Sequence, residues 1–312
     1  MKIFNNTKIP KNFKGSALAI GNFDGVHVGH KKVFQQTKKI AKKKKIKFGV
    51  LTFTPLPVMF FNKKIKNYRL TSEDQKLKLF KKSKVDFTIN IKFNKKFSVI
   101  GAEDFIKKII YKKLNPKLLA VSNNFKFGKN RKGDVNLLEK FSNKYDYHLL
   151  NIKPFKHSKK IVSSTKIRKY LKRGHVNLAN KLLSRTWYIE GQVKKGKKIG
   201  RKLGYRTCNI NVKNYILPRP GIYAVKVLVD NKKYIYGGVA YLGASPTFGG
   251  KETFLETYIF GIKKNLYKKK LRVYFLKFLR PDQKFKNPEQ LIRQMNKDVI
   301  FAKKGLKTRL VL

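Results

Sequence analysis

The stretch AIGNFDGVHVGHKKVF, residues 19–34, decides how the first half of this chain is read. A short apolar run, ALAI at 17–20, gives way to a lysine-rich segment that carries Val33, Thr37, Ile40 and Ala41 on one helical face. The pattern is a buried strand feeding a helix through a glycine-rich turn. Gly21 and Gly25 let the backbone come close to a ligand and adopt angles that a side chain blocks. A helix beginning near Gly29 offers unpaired N–H groups and the positive end of its dipole, both favourable to phosphate. His27 and His30, at i and i+3, fall on one face of that first turn. Imidazoles there could donate hydrogen bonds to charge building on a phosphorus centre and its leaving group. Taken alone the stretch is also a tight strand-to-helix turn with structural histidines, and Asp24 by itself does not complete a metal set.

Working outward, apolar runs alternate with helical patterns up to about residue 180. KFGVLTF (47–53), VDFTINI (85–91), KLLAVS (117–122) and YHLLNI (147–152) read as strands. Between them, AEDFIKKIIY (102–111) and VNLLEKFSNKY (135–145) read as helices, and Ser72 three residues before Gln75 has capping-box spacing. The alternation predicts right-handed crossovers and a parallel sheet covered on both faces, whose ligands bind beyond the carboxyl ends of the strands. The GNFDG turn lies at that end of the first strand. After residue 184 the pattern becomes short Tyr-, Val-, Ile- and Phe-rich strands between Gly, Pro, Asn and Lys turns, which predicts an antiparallel sheet or barrel. One C-terminal helix follows, with Pro288 in its first turn and Leu291, Ile292, Met295, Val299 and Ala302 on its apolar face. Two domains are expected, 1–184 and 185–312, with the boundary near Leu183–Thr186.

Composition narrows the class. The chain has 312 residues, 41% of them hydrophobic and 13% aromatic, enough to bury real cores. Its lone cysteine, Cys208, forms no intramolecular disulfide and suits a reducing cytoplasm. No run is long enough for a signal peptide or a membrane span, so a soluble intracellular protein is expected. The 76 basic and 16 acidic residues leave a formal charge of +60. The lysines run from Lys2 to Lys307 without gathering into one patch, as mutational bias toward A/T-rich codons would produce, and a dispersed coat is poor evidence for a docking surface.

The combination of strand end, GNFDG and HVGH at a helix start resembles the first signature of the nucleotidyltransferase superfamily. In its longer form, GNFDGVHVGH, it is similar to the bifunctional riboflavin kinase/FMN adenylyltransferases of bacteria, also called FAD synthetases. Further blocks of that family follow in order: TFTPLP (52–57), LTSEDQKLKLF (70–80) with Gln75 where glutamate is usual, VSNNFKFGKNRKGD (121–134), and VSSTKIR (162–168), like the second superfamily signature. Ser122 replaces a usual glycine. The resemblance implies that His27 and His30 stabilise the transition state of adenylyl transfer. It also implies that Gly21, Phe23, Asp24, Gly25, Ser164, Thr165 and Arg168 bind ATP, and that Asn124 helps hold FMN. Read as ordinary structure, Ser164 and Thr165 would be helix caps.

The second half resembles the riboflavin kinases. GKKIGRKLGYRTCNI (196–210) is similar to their glycine-rich loop and Pro-Thr-Ala-Asn motif, with Arg206 and Cys208 in place of proline and alanine. Gly196, Gly200 and Gly204 would then fold over ATP phosphates. Thr207 and Asn209 alternate along a strand, so both side chains face one way and suit Mg²⁺, a hard ion that takes oxygen ligands. By resemblance Glu256 is the general base on the riboflavin 5′-hydroxyl; an unpaired buried charge in its aromatic strand would be costly. The resemblance covers about residues 15–304. It implies an N-terminal Rossmann-like domain, a C-terminal antiparallel barrel with a final helix, and an enzyme making FMN and then FAD from riboflavin and ATP. Specific nucleic acid and membrane partners are not expected, and oligomeric state is open. The rivals are an adenylyltransferase with a degenerate kinase domain, a superfamily transferase acting on RNA, and a non-enzymatic basic nucleic-acid-binding protein.

Overall fold

The structure is a computed structural model that describes residues 1–157, 160–195, 200, 203–213, 215–230, 234–244, 253–262 and 264–306. Its elements divide into two compact units, Met1–Lys66 with Thr71–Ser163, and Asn67–Leu70 with Ser164–Leu312.

In the first unit, β1 (Lys2–Phe4) is an edge strand and β2 (Ala17–Ile20) leads into α1 (Val28–Lys43). β3 (Phe48–Thr54) is followed by α2 (Pro57–Phe61) and α3 (Glu73–Lys82). After β4 (Phe87–Lys92) come α4 (Lys95–Ser98) and α5 (Ala102–Asp104), which runs on as a π-helix over Phe105–Leu114. β5 (Leu118–Ser122), α6 (Val135–Ser142) and β6 (His148–Ile152) complete the sheet, and β7 (Lys156–His157) with β8 (Lys160–Ile161) form a small ribbon.

The six sheet strands are parallel, in the order β1-β4-β3-β2-β5-β6. Alternation along each strand explains why both faces are dry. Ala17 and Ala19 of β2 turn toward Val33, Phe34 and Phe80 under α1 and α3. Leu18 and Ile20 turn toward Ile106, Ile110 and Leu138 under the π-helix and α6. The order of the strands reverses between β2 and β5, so the chain leaves the carboxyl ends of two adjacent strands in different directions. The crevice where open α/β sheets bind ligands lies there.

The capping box at α3 is complete: Gln75 N–H donates to Ser72 Oγ at 3.2 Å, and Ser72 N–H to Gln75 Oε1 at 3.0 Å. Gln75 thus performs the reciprocal bond that glutamate makes elsewhere.

The second unit opens with α7 (Ser164–Lys172) and α8 (Val176–Leu183). Asn180 of α8 ties this pair to the strands, donating from Nδ2 to Phe275 O at 2.9 Å and accepting from Trp187 N–H at 2.7 Å. Six antiparallel strands close a barrel in the order β10-β13-β12-β11-β14-β9. They are β9 (Tyr188–Lys194), β10 (Thr207–Asn211), β11 (Gly221–Val229), β12 (Ile235–Ala244), β13 (Thr253–Ile259) and β14 (Lys270–Arg280). α9 (Pro288–Gly305) packs on β11, β12 and β14. Its face differs from the predicted one at the centre. Asp298 is buried there, held by a bidentate pair of 2.8 Å bonds from Arg280, whose guanidinium supplies the charge that makes burial tolerable.

Candidate active sites

At the head of the first unit, His27 is the N-cap of α1. Its Nδ1 accepts a long hydrogen bond from His30 N–H at 3.4 Å, which places the ring proton on Nε2 and makes that atom a donor. The two imidazoles stack with centroids 3.6 Å apart, as the i, i+3 spacing predicts. Gly29 leaves room for the His27 ring: a Cβ there would sit 3.1 Å from His27 Cε1 and press on it.

The turn before the helix is unusual backbone, with positive φ at Phe23 (49°), Gly25 (82°) and Val26 (38°). Three anchors hold it. Phe23 is buried, closing on Gly21, where a Cβ would meet its ring at 3.0 Å, and meeting His30 edge-on at 5.2 Å. Asp24 is also buried; its Oδ1 accepts from Thr71 N–H at 3.3 Å and Thr71 Oγ1 at 3.4 Å, while Gly25 N–H donates to Thr71 Oγ1. The third anchor was not predicted. Lys76 Nζ, buried on α3, donates to Thr52 Oγ1 at 3.2 Å, and Thr52 Oγ1 donates to Asn22 O at 3.1 Å. Its position four residues before the buried Phe80, on the same helical face, was the available signal.

Asn124 follows β5, beside the exit of β2, and is exposed; Ser122 Oγ donates to its Oδ1 at 2.8 Å. The serine that replaces the usual glycine therefore orients the predicted flavin-side residue. A second unpredicted feature is a run of ring contacts from Phe60 through Phe93, Phe97 and Phe105 to Phe127 and Phe125, with centroids 5.3–6.2 Å apart. Its contacts are edge-to-face or tilted except for the stacked Phe125–Phe127 pair, and Phe105 and Phe127 are buried, so the run extends the hydrophobic core past the carboxyl ends of β4 and β5.

Ser164, Thr165 and Arg168 belong to the second unit. The helix starts at Ser164, so both hydroxyl residues lie in its first turn rather than ahead of it as caps. Arg168 is buried; its guanidinium covers the Tyr68 ring at 3.8 Å and its Nε donates to Tyr68 O at 2.9 Å.

On the barrel, register collects the other predicted residues. Asn209 and Tyr241 are the cross-strand partners of Glu256, on either side, and Thr207 pairs with Tyr258. These residues share the face opposite to Leu255 and Thr257, which are fully buried inside the barrel. Glu256 is half-buried, and burial raises its carboxyl above the ordinary carboxylate range. Tyr241 donates to Asp282 Oδ2 at 2.9 Å, with its hydroxyl lying over Gly243. Cys208 points the other way along β10; burial pushes its thiol up to about 11, which disqualifies it as a nucleophile. Gly200 lies against the same strand, where a Cβ would meet Tyr205 O at 2.6 Å and Thr207 Oγ1 at 3.3 Å, and Gly204 has φ +85°. Gly196 and residues 245–252, which include the SPTFGG part of the resembling block, lie outside the described residues.

Known proteins show the same two-part arrangement. The protein-family model for FAD synthetase matches residues 9–166, and that for riboflavin kinase matches residues 183–306. The bifunctional riboflavin kinase/FMN adenylyltransferase of Buchnera aphidicola subsp. Schizaphis graminum is 40% identical over 306 residues, covering 97% of this chain and 96% of that one. The protein of that name from Escherichia coli K12 is 32% identical, covering 96% and 95%. Among solved structures, a Streptococcus pneumoniae protein described as a macrolide-efflux protein superposes with a TM-score of 0.83 at 27% identity, covering 96% of this chain and 98% of that one. No helix among the described residues here is long and apolar enough to cross a membrane. On the strength of both domain matches and of relatives 32% and 40% identical across nearly the whole length, the chain belongs to the family of bifunctional riboflavin kinase/FMN adenylyltransferases.

Proposed function

We propose that the chain phosphorylates riboflavin with ATP to give FMN and ADP, and adenylylates FMN with a second ATP to give FAD and pyrophosphate. The adenylyltransferase occupies residues 1–184 and the kinase 185–312, working on small-molecule substrates in the cytoplasm. The observation that carries the reading is two separate residue arrangements on one chain, each suited to one step: the stacked His27–His30 pair at a helix start, and Glu256 beside Asn209 on the barrel.

In adenylyl transfer an FMN phosphate oxygen attacks the α-phosphorus of ATP and pyrophosphate leaves. His27 and His30 donate to the charge that builds on the phosphoryl oxygens and leaving group. The backbone of Gly21–Gly25 lies against the nucleotide; the Phe23 and Asp24 side chains act from behind it, shaping the turn. Ser164, Thr165 and Arg168 hold the ATP phosphates, and Asn124 the flavin phosphate side.

In the kinase the riboflavin 5′-hydroxyl attacks the γ-phosphorus and its proton passes to Glu256. A carboxylate made more basic by burial is a better acceptor for that proton. Gly196, Gly200 and Gly204 cover the phosphates. Thr207 Oγ1 and the Asn209 amide oxygen form a hard, all-oxygen pair on one strand face, which fits Mg²⁺. Among the described residues no three His, Cys, Asp or Glu side chains cluster, so a two-oxygen set completed by nucleotide phosphates and water is the arrangement that suits it. Bound there, the ion would neutralise phosphate charge.

Incubation of the purified protein with riboflavin, ATP and Mg²⁺, with FMN and FAD separated by chromatography, tests the reading. FAD from riboflavin is expected. FAD from supplied FMN alone would leave the kinase domain a scaffold. No product, with tight salt-dependent nucleic-acid binding, would replace the enzymatic reading.

A further inference from the structure

Arg206 stands where the kinases carry a proline, so the turn that delivers Thr207 and Asn209 lacks that residue's rigidity. The structure supplies another constraint one residue earlier. Tyr205 N–H donates to Gly200 O at 2.7 Å, closing the turn. Its ring meets Tyr258 edge-on at 5.0 Å, and Tyr258 is the cross-strand partner of Thr207. Its hydroxyl donates to Asn296 Oδ1 on α9. Asn296 is itself on a fixed stretch of helix, two residues from Asp298, which Arg280 and Gln294 hold in the buried cluster. The turn is therefore fastened at three points, to its own backbone, to β13 and to α9.

We propose that Tyr205 is a positioning residue of the kinase site, using Asn296 and Tyr258 to set Thr207 and Asn209 beside Glu256 in place of a rigid proline turn. The inference rests on the kinase reading of this site. Tyr205 touches no reacting atom in it; it acts on Thr207 and Asn209 through the backbone.

The test uses the full chain, whose second activity is an internal control. Tyr205→Phe and Asn296→Leu remove the same hydroxyl–amide bond. Each is expected to raise the KM for ATP in riboflavin phosphorylation about fivefold, the worth of one such bond. Conversion of supplied FMN to FAD stays at the wild-type rate. The double variant matches either single one, because the lost bond is shared. Asn296→Asp, which still accepts from the phenol, retains wild-type KM. Hydrogen exchange of the amides at 203–210, measured without nucleotide, rises in Tyr205→Phe while the melting temperature holds.

Unchanged kinase KM in Tyr205→Phe, or losses that add in the double variant, would overturn the inference. A parallel fall of both activities with the melting temperature would reduce Tyr205 to a general structural role. If wild-type protein makes no FMN the kinase reading fails by itself. The exchange at 203–210 then still decides whether Tyr205 fastens the turn: a rise supports it and no rise overturns it.

Discussion

The two candidate sites are built by opposite means. The first unit makes its site from loops: a turn with three positive-φ residues, a histidine that caps its own helix, and a glycine under the imidazole. The barrel makes its candidate site from register, with Asn209 of β10 brought by pairing beside Glu256 of β13 and Tyr241 of β12 on its other side. A loop site concentrates its information in one contiguous motif, and each residue depends on backbone angles. A register site spreads its information along the chain, and each residue depends on alternation and pairing. The difference teaches where each is fragile. Loop sites fail through a single Cβ, whereas strand-face sites fail through loss of the functional group itself.

The largest expected effect breaks the comparison at the barrel. Glu256→Gln keeps the shape of the strand face and removes the proposed base, so riboflavin phosphorylation should fall about 10²–10⁴-fold while FMN is still converted to FAD. Stability should move the other way. Burial raises the folded carboxyl's pKa, so the charged form weakens the fold once pH exceeds the unfolded carboxyl's value. The neutral amide of the variant avoids this, and the melting temperature should rise at neutral pH. The gain should vanish below the unfolded carboxyl's pKa, where both states of the wild type are protonated. A fall in melting temperature at neutral pH would show that Glu256 has a structural partner instead.

His27→Asn is the matching break in the loop site. Asparagine is as good an N-cap as helices use, so α1 keeps its start while the imidazole is lost. FAD formation from FMN should fall about 10²–10³-fold, the usual cost of removing one charge-stabilising donor, with the kinase rate unchanged. Equal loss of both activities would mean that the histidine serves the fold rather than the reaction.

A milder probe needs no mutation. With Glu256 required as its carboxylate, kcat/KM for riboflavin at saturating ATP should decline toward acid, about tenfold per pH unit. The inflection should lie above 4.5, the ordinary carboxyl value, because burial shifts the group upward. An inflection at or below that value would separate Glu256 from the proton transfer.

How much of this was legible follows from the same contrast. The GNFDG–HVGH motif, the α3 capping box and the strand–helix alternation rest on local spacing, and each stands where spacing places it. Thr207 and Asn209 on one strand face were equally readable from alternation. That Glu256 lies next to Asn209 was not, because register is settled by pairing and not by any one strand. Lys76 and Asp298 were hidden for another reason. Both are charged residues buried on helices, and their partners, Thr52 and Glu73 for Lys76 and Arg280 for Asp298, make that burial sensible. The edge strand β1 is too short to show a period. The phenylalanine run draws on three helices and two loops that no linear pattern joins.

The smallest expected effect is the sharpest test of the loop argument, because stability and activity should part. Gly29 lies within the first turn of α1, and glycine in a helix costs up to about 1 kcal/mol relative to alanine. Gly29→Ala should therefore leave the helix as stable or more so. The new methyl carbon would, however, stand 3.1 Å from His27 Cε1 and 3.2 Å from Nδ1, tighter than ordinary contact, so the imidazole must shift by a few tenths of an ångström. Displacement on that scale is smaller than the roughly 1 Å that costs about 10²-fold, and a loss of about tenfold in FAD formation is expected, with riboflavin phosphorylation untouched. The loss should appear in kcat more than in KM for ATP, because in the proposed mechanism the histidines act on charge that develops only as the bond to pyrophosphate breaks. A Gly29→Ala enzyme with full adenylyltransferase rate would show that the stacked geometry of the pair tolerates movement, and the loop site would then be no more exacting than the strand face.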